Sequence, residues 1–222
     1  MKRRIPLLAL LLALLLALIC LLGGCGAQEG PYAGVPNPVA TIELSDGRSM
    51  RFELFLADAP NTVANFVELA NDGFYDGLSF FRILPGALIQ GGDPRGSGTG
   101  NAGYVIQGEF SANGIENDVA HTRGTISMCR QSGYDTASCQ FFIMQGNYPE
   151  YNGKYAAFGR AMDEQSLQVI DEIASTPVDS DHHPVGSAPV IARVRVETGG
   201  YRYESAKMEL PDREDETPAE NQ

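Results

Sequence analysis

Residues 79–93, SFFRILPGALIQGGD, constrain the fold more tightly than any other stretch of the chain. Two short runs rich in large apolar residues flank Pro85-Gly86, and each carries one long polar side chain, Arg82 in the first and Gln90 in the second. A proline-glycine pair between two strand-like runs predicts a hairpin that returns Gln90 to the neighbourhood of Arg82. Arginine stays charged and is costly to bury, so its place inside an apolar run calls for a purpose. Further on, Gln140-Phe141-Phe142-Ile143 adds a second amide beside an aromatic pair. One arginine and two amides set among aromatics suit a site that holds a neutral peptide group.

The flanking sequence predicts a mainly β domain. Residues 39–44 alternate, with Ala40, Ile42 and Leu44 on one face. Asp46-Gly47 then marks a tight turn, and Met50, Phe52, Leu54 and Leu56 alternate after it. Pro60 opens a helix whose apolar stripe is Val63, Phe66, Val67 and Ala70, with Gly73 as its stop. Further strands are expected at 79–84, 87–90, 124–128, 140–144, 156–160 and 190–197. A second helix is expected over 163–174, with Leu167, Ile170 and Ile173 facing inward. Many short strands and two helices predict a closed antiparallel barrel with helical caps.

The ends of the chain differ in character from this domain. Lys2, Arg3 and Arg4 precede a nearly unbroken Leu/Ala run over residues 7–22, shorter than the ~20 residues a comfortable membrane span needs. Leu22-Gly23-Gly24-Cys25 follows and resembles a bacterial lipobox, which makes residues 1–24 a lipoprotein signal peptide and Cys25 the lipidated first residue of the mature protein. Residues 25–38 read as a flexible Gly/Pro-rich tether, 39–198 as the folded domain, and 199–222 as an acidic disordered tail. This organisation places the domain outside the cytoplasm, lipid-anchored to the cell membrane. The net charge of −12 becomes −15 once Lys2, Arg3 and Arg4 leave, which argues against nucleic acid and against direct adsorption to anionic lipid.

Cys129 and Cys139 stand ten residues apart. In an oxidising compartment they either bridge the intervening loop or sit as two small buried thiols. Gly96, Gly98, Gly100 and Gly103 lack the Lys-Ser/Thr that a phosphate loop requires, and read instead as a glycine-rich loop beside the site. His182 and His183 lie between Pro177 and Pro184 in what reads as a solvated loop, so no metal is expected, and His121 reads as structural.

Several segments together resemble the cyclophilin-type peptidyl-prolyl isomerases. They are Phe80-Phe81-Arg82-Ile83-Leu84-Pro85-Gly86, Gln90-Gly91-Gly92-Asp93, Gly108-Glu109-Phe110, Arg123-Gly124-Thr125-Ile126-Ser127-Met128, Gln140-Phe141-Phe142-Ile143 and Ala157-Phe158-Gly159, and they stand in that family's order and spacing. The resemblance implies an eight-stranded antiparallel barrel capped by two helices. It also implies cofactor-free isomerisation of X–Pro bonds by a monomer acting on proline-containing peptides and unfolded secreted or surface proteins. By the same resemblance Arg82, Gln90 and Phe142 are catalytic, and Phe81, Ala87, Leu88, Cys129, Arg130, Gln140, Tyr151 and Tyr155 bind substrate.

The chemistry fits these residue types. Turning an X–Pro bond needs no nucleophile or metal, because its barrier of ~18–20 kcal/mol is amide resonance. When the bond is twisted, the proline nitrogen regains a lone pair and accepts a hydrogen bond that the planar ground state cannot accept. A donor placed there binds the transition state in preference to the substrate. Ala87 stands where the family usually has phenylalanine, Glu150 where it has tryptophan or histidine, and Cys129-Arg130 where it has Ala-Asn. These departures leave the donor in place and predict activity with a different or weaker sequence preference around proline, the alternative being a proline-peptide-binding or chaperone module with little isomerase turnover.

Overall fold

A computed structural model describes residues 32–211, and the signal peptide, Cys25, most of the tether and the tail beyond residue 211 lie outside them. The compact unit that carries the domain begins at Val35. Its elements in chain order are β1 (Val39–Leu44), β2 (Ser49–Leu54), α1 (Pro60–Asn71), β3 (Arg82–Leu84), β4 (Leu88–Gly91), β5 (Thr125–Met128), β6 (Phe141–Met144), β7 (Ala156–Ala161), α2 (Glu164–Ala174) and β8 (Ile191–Glu197). One eight-stranded sheet has the order β3-β4-β6-β5-β7-β2-β1-β8, with every pair antiparallel.

The expected closed barrel is corrected to an open half-barrel. The two end strands, β3 and β8, share no ladder, and the chain ahead of them meets in one isolated bridge between Ser79 and Val190. The outer edge of β3 is taken by a loop instead, since Ile83 N donates to the carbonyl of His182 at 2.9 Å. Once its outward N–H is satisfied in this way, a three-residue strand has little edge left to pair.

Strand alternation sends one face of the sheet into an aromatic core. Phe66 of α1 lies 5.2 Å from Tyr75, 5.6 Å from Phe141 and 5.2 Å from Phe158, measured between ring centroids. Phe141 also meets Tyr75 and Phe80 edge to face. Proline at the first position of α1 leaves other amides to be capped, and a distant carboxylate caps them. Glu109 accepts from Asn61 N at 3.0 Å, and from Thr62 N at 2.7 Å and Thr62 Oγ1 at 2.6 Å. Helix α2 is capped locally by Asp163, whose carboxylate accepts from Ser166 N at 2.8 Å.

The domain is longer than expected at both ends. Asn37 and Pro38, placed in the tether by composition, bond to β2 and the residues after it: Leu54 N donates to Pro38 O and Leu56 N to Asn37 Oδ1. Residues 199–208, placed in the disordered tail, fold back onto the domain, with Tyr203 and Ser205 buried. Their ties include hydrogen bonds, the ion pair of Lys207 with Glu68 and the contact of Lys207 with the Tyr104 ring, which a reading of hydrophobic pattern passes over.

Truncating the ring at the centre of the core, Phe66→Ala, is expected to cost about 3–5 kcal/mol. Urea unfolding should show it as a lower midpoint with an unchanged slope.

Candidate active site

Register assembles the site. Arg82 stands opposite Gln90 in the β3–β4 pair, Gln90 opposite Phe142 in β4–β6, and Phe142 opposite Ser127 in β5–β6. The four residues therefore form one row across four strands, on the face opposite Phe141. A second row, Leu84, Leu88 and Met144, runs beside it.

The polar part of the row is a relay of amides. Arg82 Nη1 donates to Gln90 Oε1 at 3.1 Å, and Gln90 Nε2 donates to Gln140 Oε1 at 3.0 Å. Gln140 Nε2 in turn donates to the carbonyls of Gly98 at 3.0 Å and Gly100 at 2.8 Å. Among the described residues no ion pair involves Arg82. Its guanidinium is thus oriented by a neutral partner, half-buried and still fully charged.

Next to the relay lies an apolar cluster of Ala87, Leu88, Phe142 and Met144, with Leu84, Cys129, Tyr148, Tyr151 and Tyr155 packed against it. Phe142 is fenced by rings. Tyr155 stands edge-on at 5.5 Å and Tyr151 at 6.0 Å, while His121 stacks on it at 5.9 Å with an interplanar angle of 17°. His121 is held by Asn152 Oδ1, 3.1 Å from Nδ1, and by Ser127 Oγ, 3.0 Å from Nε2. Burial pushes its pKa below the ordinary imidazole range, partly offset by the bond to Asn152. Burial also raises the Tyr151 phenol.

Beyond Gln90 lies a separate cavity of about 100 Å3, walled by Gln90, Gly100, Asn101, Cys129, Arg130 and Gln140. Gln90 and Gln140 face it from one side. The glycine-rich loop faces it from the other, and there a Cβ on Gly100 would lie 1.8 Å from Asp93 Oδ1.

Most of the residues expected at the site come together here: Arg82, Gln90, Phe142, Ala87, Leu88, Gln140, Tyr151, Tyr155 and Cys129. Two do so differently. Phe81 is buried but lies outside the apolar cluster, and its Cε2 sits 3.8 Å from the point a Cβ on Gly98 would occupy. It supports the glycine-rich loop. Arg130 turns its guanidinium onto the rings of Phe110, Tyr134 and Tyr155, at 5.3, 5.3 and 4.9 Å. Its Nε donates to Lys154 O at 3.0 Å and its Nη1 to Gln131 O at 2.8 Å, so it braces two loops.

Of the two alternatives for Cys129 and Cys139, a bridge or a pair of thiols, the structure has free thiols. Cys129 N bonds to Gln140 O, which puts Cys129 on the Phe142 face and Cys139, one residue along, on the Phe141 face. Burial pushes Cys139 up to about 12 and Cys129 higher still, so neither is a reactive thiolate at neutral pH.

His121 and Tyr148 belong to the site although the sequence pattern did not place them there. Tyr148 stacks on Tyr151 at 5.8 Å across the 3-10 turn Pro149–Tyr151. The signal was present as Tyr-Pro-Glu-Tyr, because side chains three apart eclipse in a 3-10 turn. His121 carried no such signal, since its stack forms only once β5 and β6 are paired.

The model of the family "Cyclophilin type peptidyl-prolyl cis-trans isomerase/CLD" matches residues 39–196. A peptidyl-prolyl cis-trans isomerase of Synechococcus elongatus is 43% identical over 148 residues, which are 64% of this chain and 97% of that protein. Peptidyl-prolyl cis-trans isomerase B of Bacillus subtilis is 47% identical over 117 residues, 53% of this chain and 78% of that protein. Among solved structures, a cyclophilin-type isomerase of Cryptosporidium parvum, determined in the presence of the dipeptide Ala-Pro, aligns with a TM-score of 0.63 at 29% identity. It covers 72% of this chain and 98% of its own.

The depressed pKa of buried His121 has a consequence for stability. Below about pH 6.5 the unfolded chain takes up a proton there that the folded state refuses, so stability falls as pH drops from that value towards the lower folded pKa. Urea midpoints measured from pH 7 to pH 5 should decline for the wild type. They should decline less steeply for His121→Asn, which has nothing to protonate.

Proposed function

The chain belongs to the cyclophilin-type peptidyl-prolyl cis-trans isomerases, and we propose that it works as a monomer outside the cytoplasm, lipid-anchored through Cys25, on proline-containing segments of secreted or surface proteins. It is an enzyme of X–Pro bond rotation. In this reading the proline ring rests on Phe142, with Leu88 and Met144 beside it and Tyr151 and Tyr155 closing the pocket. Tyr148 packs against the same cluster as Ala87, which adds apolar surface on the side where alanine leaves the wall thin.

The observation that carries the reading is the position of Arg82. It sits in the same cross-strand row as Phe142, with Gln90 between them. Its guanidinium is held by an amide at 3.1 Å and, among the described residues, is cancelled by no carboxylate. Placed at the edge of the proline pocket, it donates to the proline nitrogen as that nitrogen pyramidalises. Gln140 and Gln90 hold the carbonyls on the N-terminal side of the proline. A ten-thousand-fold acceleration requires about 5.5 kcal/mol. One charge-assisted hydrogen bond contributes about 1.5–3 kcal/mol. The balance falls to the apolar pocket and to the grip on the preceding residues.

The extracytoplasmic assignment rests on the first 25 residues: three basic residues, the Leu/Ala run, and Leu-Gly-Gly-Cys in register. A lipid would hold an acidic domain at a surface that its charge does not favour.

Arg82→Ala should lower kcat/KM for cis–trans exchange of a short Ala-Pro peptide by about tenfold to a hundredfold, the equivalent of one charged hydrogen bond. The peptide's dissociation constant should change little, because the bond forms only in the twisted state. Exchange spectroscopy measures both quantities, and a wild type no faster than the uncatalysed reaction would exclude the enzyme reading. In cells, Cys25→Ser should shift the protein from the membrane fraction to the soluble fraction. Membrane retention of that variant would remove the lipid anchor.

A further inference from the structure

The family match ends at residue 196 and β8 at Glu197, yet the chain goes on making ordered contacts as far as Met208. Ser205 Oγ donates to Glu68 Oε2 on α1. Ala206 and Asn61 exchange two hydrogen bonds, Ala206 N to Oδ1 at 2.6 Å and Nδ2 to Ala206 O at 3.1 Å. Lys207 Nζ lies 3.2 Å from Glu68 Oε2 and 4.9 Å from the ring centroid of Tyr104. Met208 and Val105 exchange backbone hydrogen bonds at 3.0 and 2.8 Å, as an added strand would.

The residues gripped in this way, Tyr104 and Val105, sit at the base of the glycine-rich loop. Residues 94–99 are exposed, and the loop is tied at its near end by Asp93, whose carboxylate accepts from Arg95 N, Ser97 N and Gly98 N, and at its far end by contacts to other segments. There Tyr104 OH donates to Asn65 Oδ1 at 2.6 Å and Ala102 N to Ser138 Oγ at 3.0 Å. Ile106 N donates to Ala137 O at 2.8 Å, joining the loop base to a segment whose residues Thr136 and Ser138 also line the cavity beyond Gln90. Four glycines in eight residues make this loop costly to order, so an external clamp at its base restricts where Gly98 and Gly100 can stand. Those two carbonyls are the acceptors that fix Gln140.

We infer that residues 203–208 form a strap that positions the glycine-rich loop, so that Lys207 and Met208, touching no substrate, set the affinity for peptide residues preceding the X–Pro pair. The identity of the ligand rests on the isomerase reading. The path from strap to cavity rests on the contacts alone. No residue of the strap touches Arg82 or the Phe142 pocket, and Arg82 is reached only through Gln140 and Gln90, so the strap acts most on peptides long enough to enter the cavity beyond Gln90 and least on the shortest.

The test uses the protein with its C-terminal segment intact. Dissociation constants for the dipeptide Ala-Pro and for a tetrapeptide with two residues ahead of the X–Pro pair, Ala-Ala-Ala-Pro, are measured by NMR titration, with exchange rates recorded in the same samples. Lys207→Ala, at an exposed side chain, should weaken the tetrapeptide about threefold to fivefold and leave the dipeptide unchanged. Met208→Pro, which deletes the N–H bonded to Val105 O, should weaken the tetrapeptide further, and Lys207→Arg should restore wild-type binding. The inference is overturned if both disruptive variants bind the tetrapeptide as the wild type does, or if dipeptide and tetrapeptide weaken together as they would from a loss of stability. Exchange at the uncatalysed rate in the wild type would count against the isomerase reading, while the comparison of dissociation constants would still decide the strap.

Discussion

Pairing Arg82 with an amide rather than a carboxylate is the constraint on which the site depends. A carboxylate at the position of Gln90 would orient the guanidinium equally well, but it would also satisfy it and cancel its charge. Gln90 orients without neutralising, and because an amide both donates and accepts it passes the constraint on to Gln140 and from there to two loop carbonyls. The guanidinium therefore stays half-buried and underused until an acceptor arrives. The cost of holding a charge at the edge of an apolar pocket is offset by the surrounding core, where Phe66, Tyr75, Phe141 and Phe158 lock the sheet beneath it.

Much of this was legible in the chain because turn chemistry and alternation act locally. Pro85-Gly86 set the β3–β4 hairpin, and period two separated Phe141 from Phe142, one for the core and one for the site. What was not legible depended on pairings between distant segments. The barrel stays open because the carbonyl of His182, in a loop a hundred residues away, occupies the edge of β3. The two cysteines are close in sequence, but only the register of β5 with β6 shows that they face opposite sides of the ribbon. Arg130 looked like a substrate contact by position, and the three rings that draw its guanidinium aside come from three separate segments.

The boundaries illustrate the same limit from another direction. Composition marks where apolar surface stops, and by that measure the domain ends near residue 198. Folded structure stops where the backbone runs out of partners, and Asn61, Glu68 and Val105 supply partners for another ten residues. A segment of low hydrophobicity can thus be ordered when its hydrogen bonds go to an existing framework, which has already met the entropy cost of forming.

The buried carboxylate of Glu109 bears on the order in which this protein assembles. Helix α1 has no cap of its own, and the groups that finish its first turn belong to a residue 47 or 48 positions downstream. On a chain emerging from its N-terminal end, α1 and the first two strands are therefore complete in sequence well before the helix can be complete in energy. Until residue 109 arrives, the start of α1 is free to fray. Closing that contact couples the first third of the domain to its middle, so the topology favours a late, cooperative consolidation over a stepwise one.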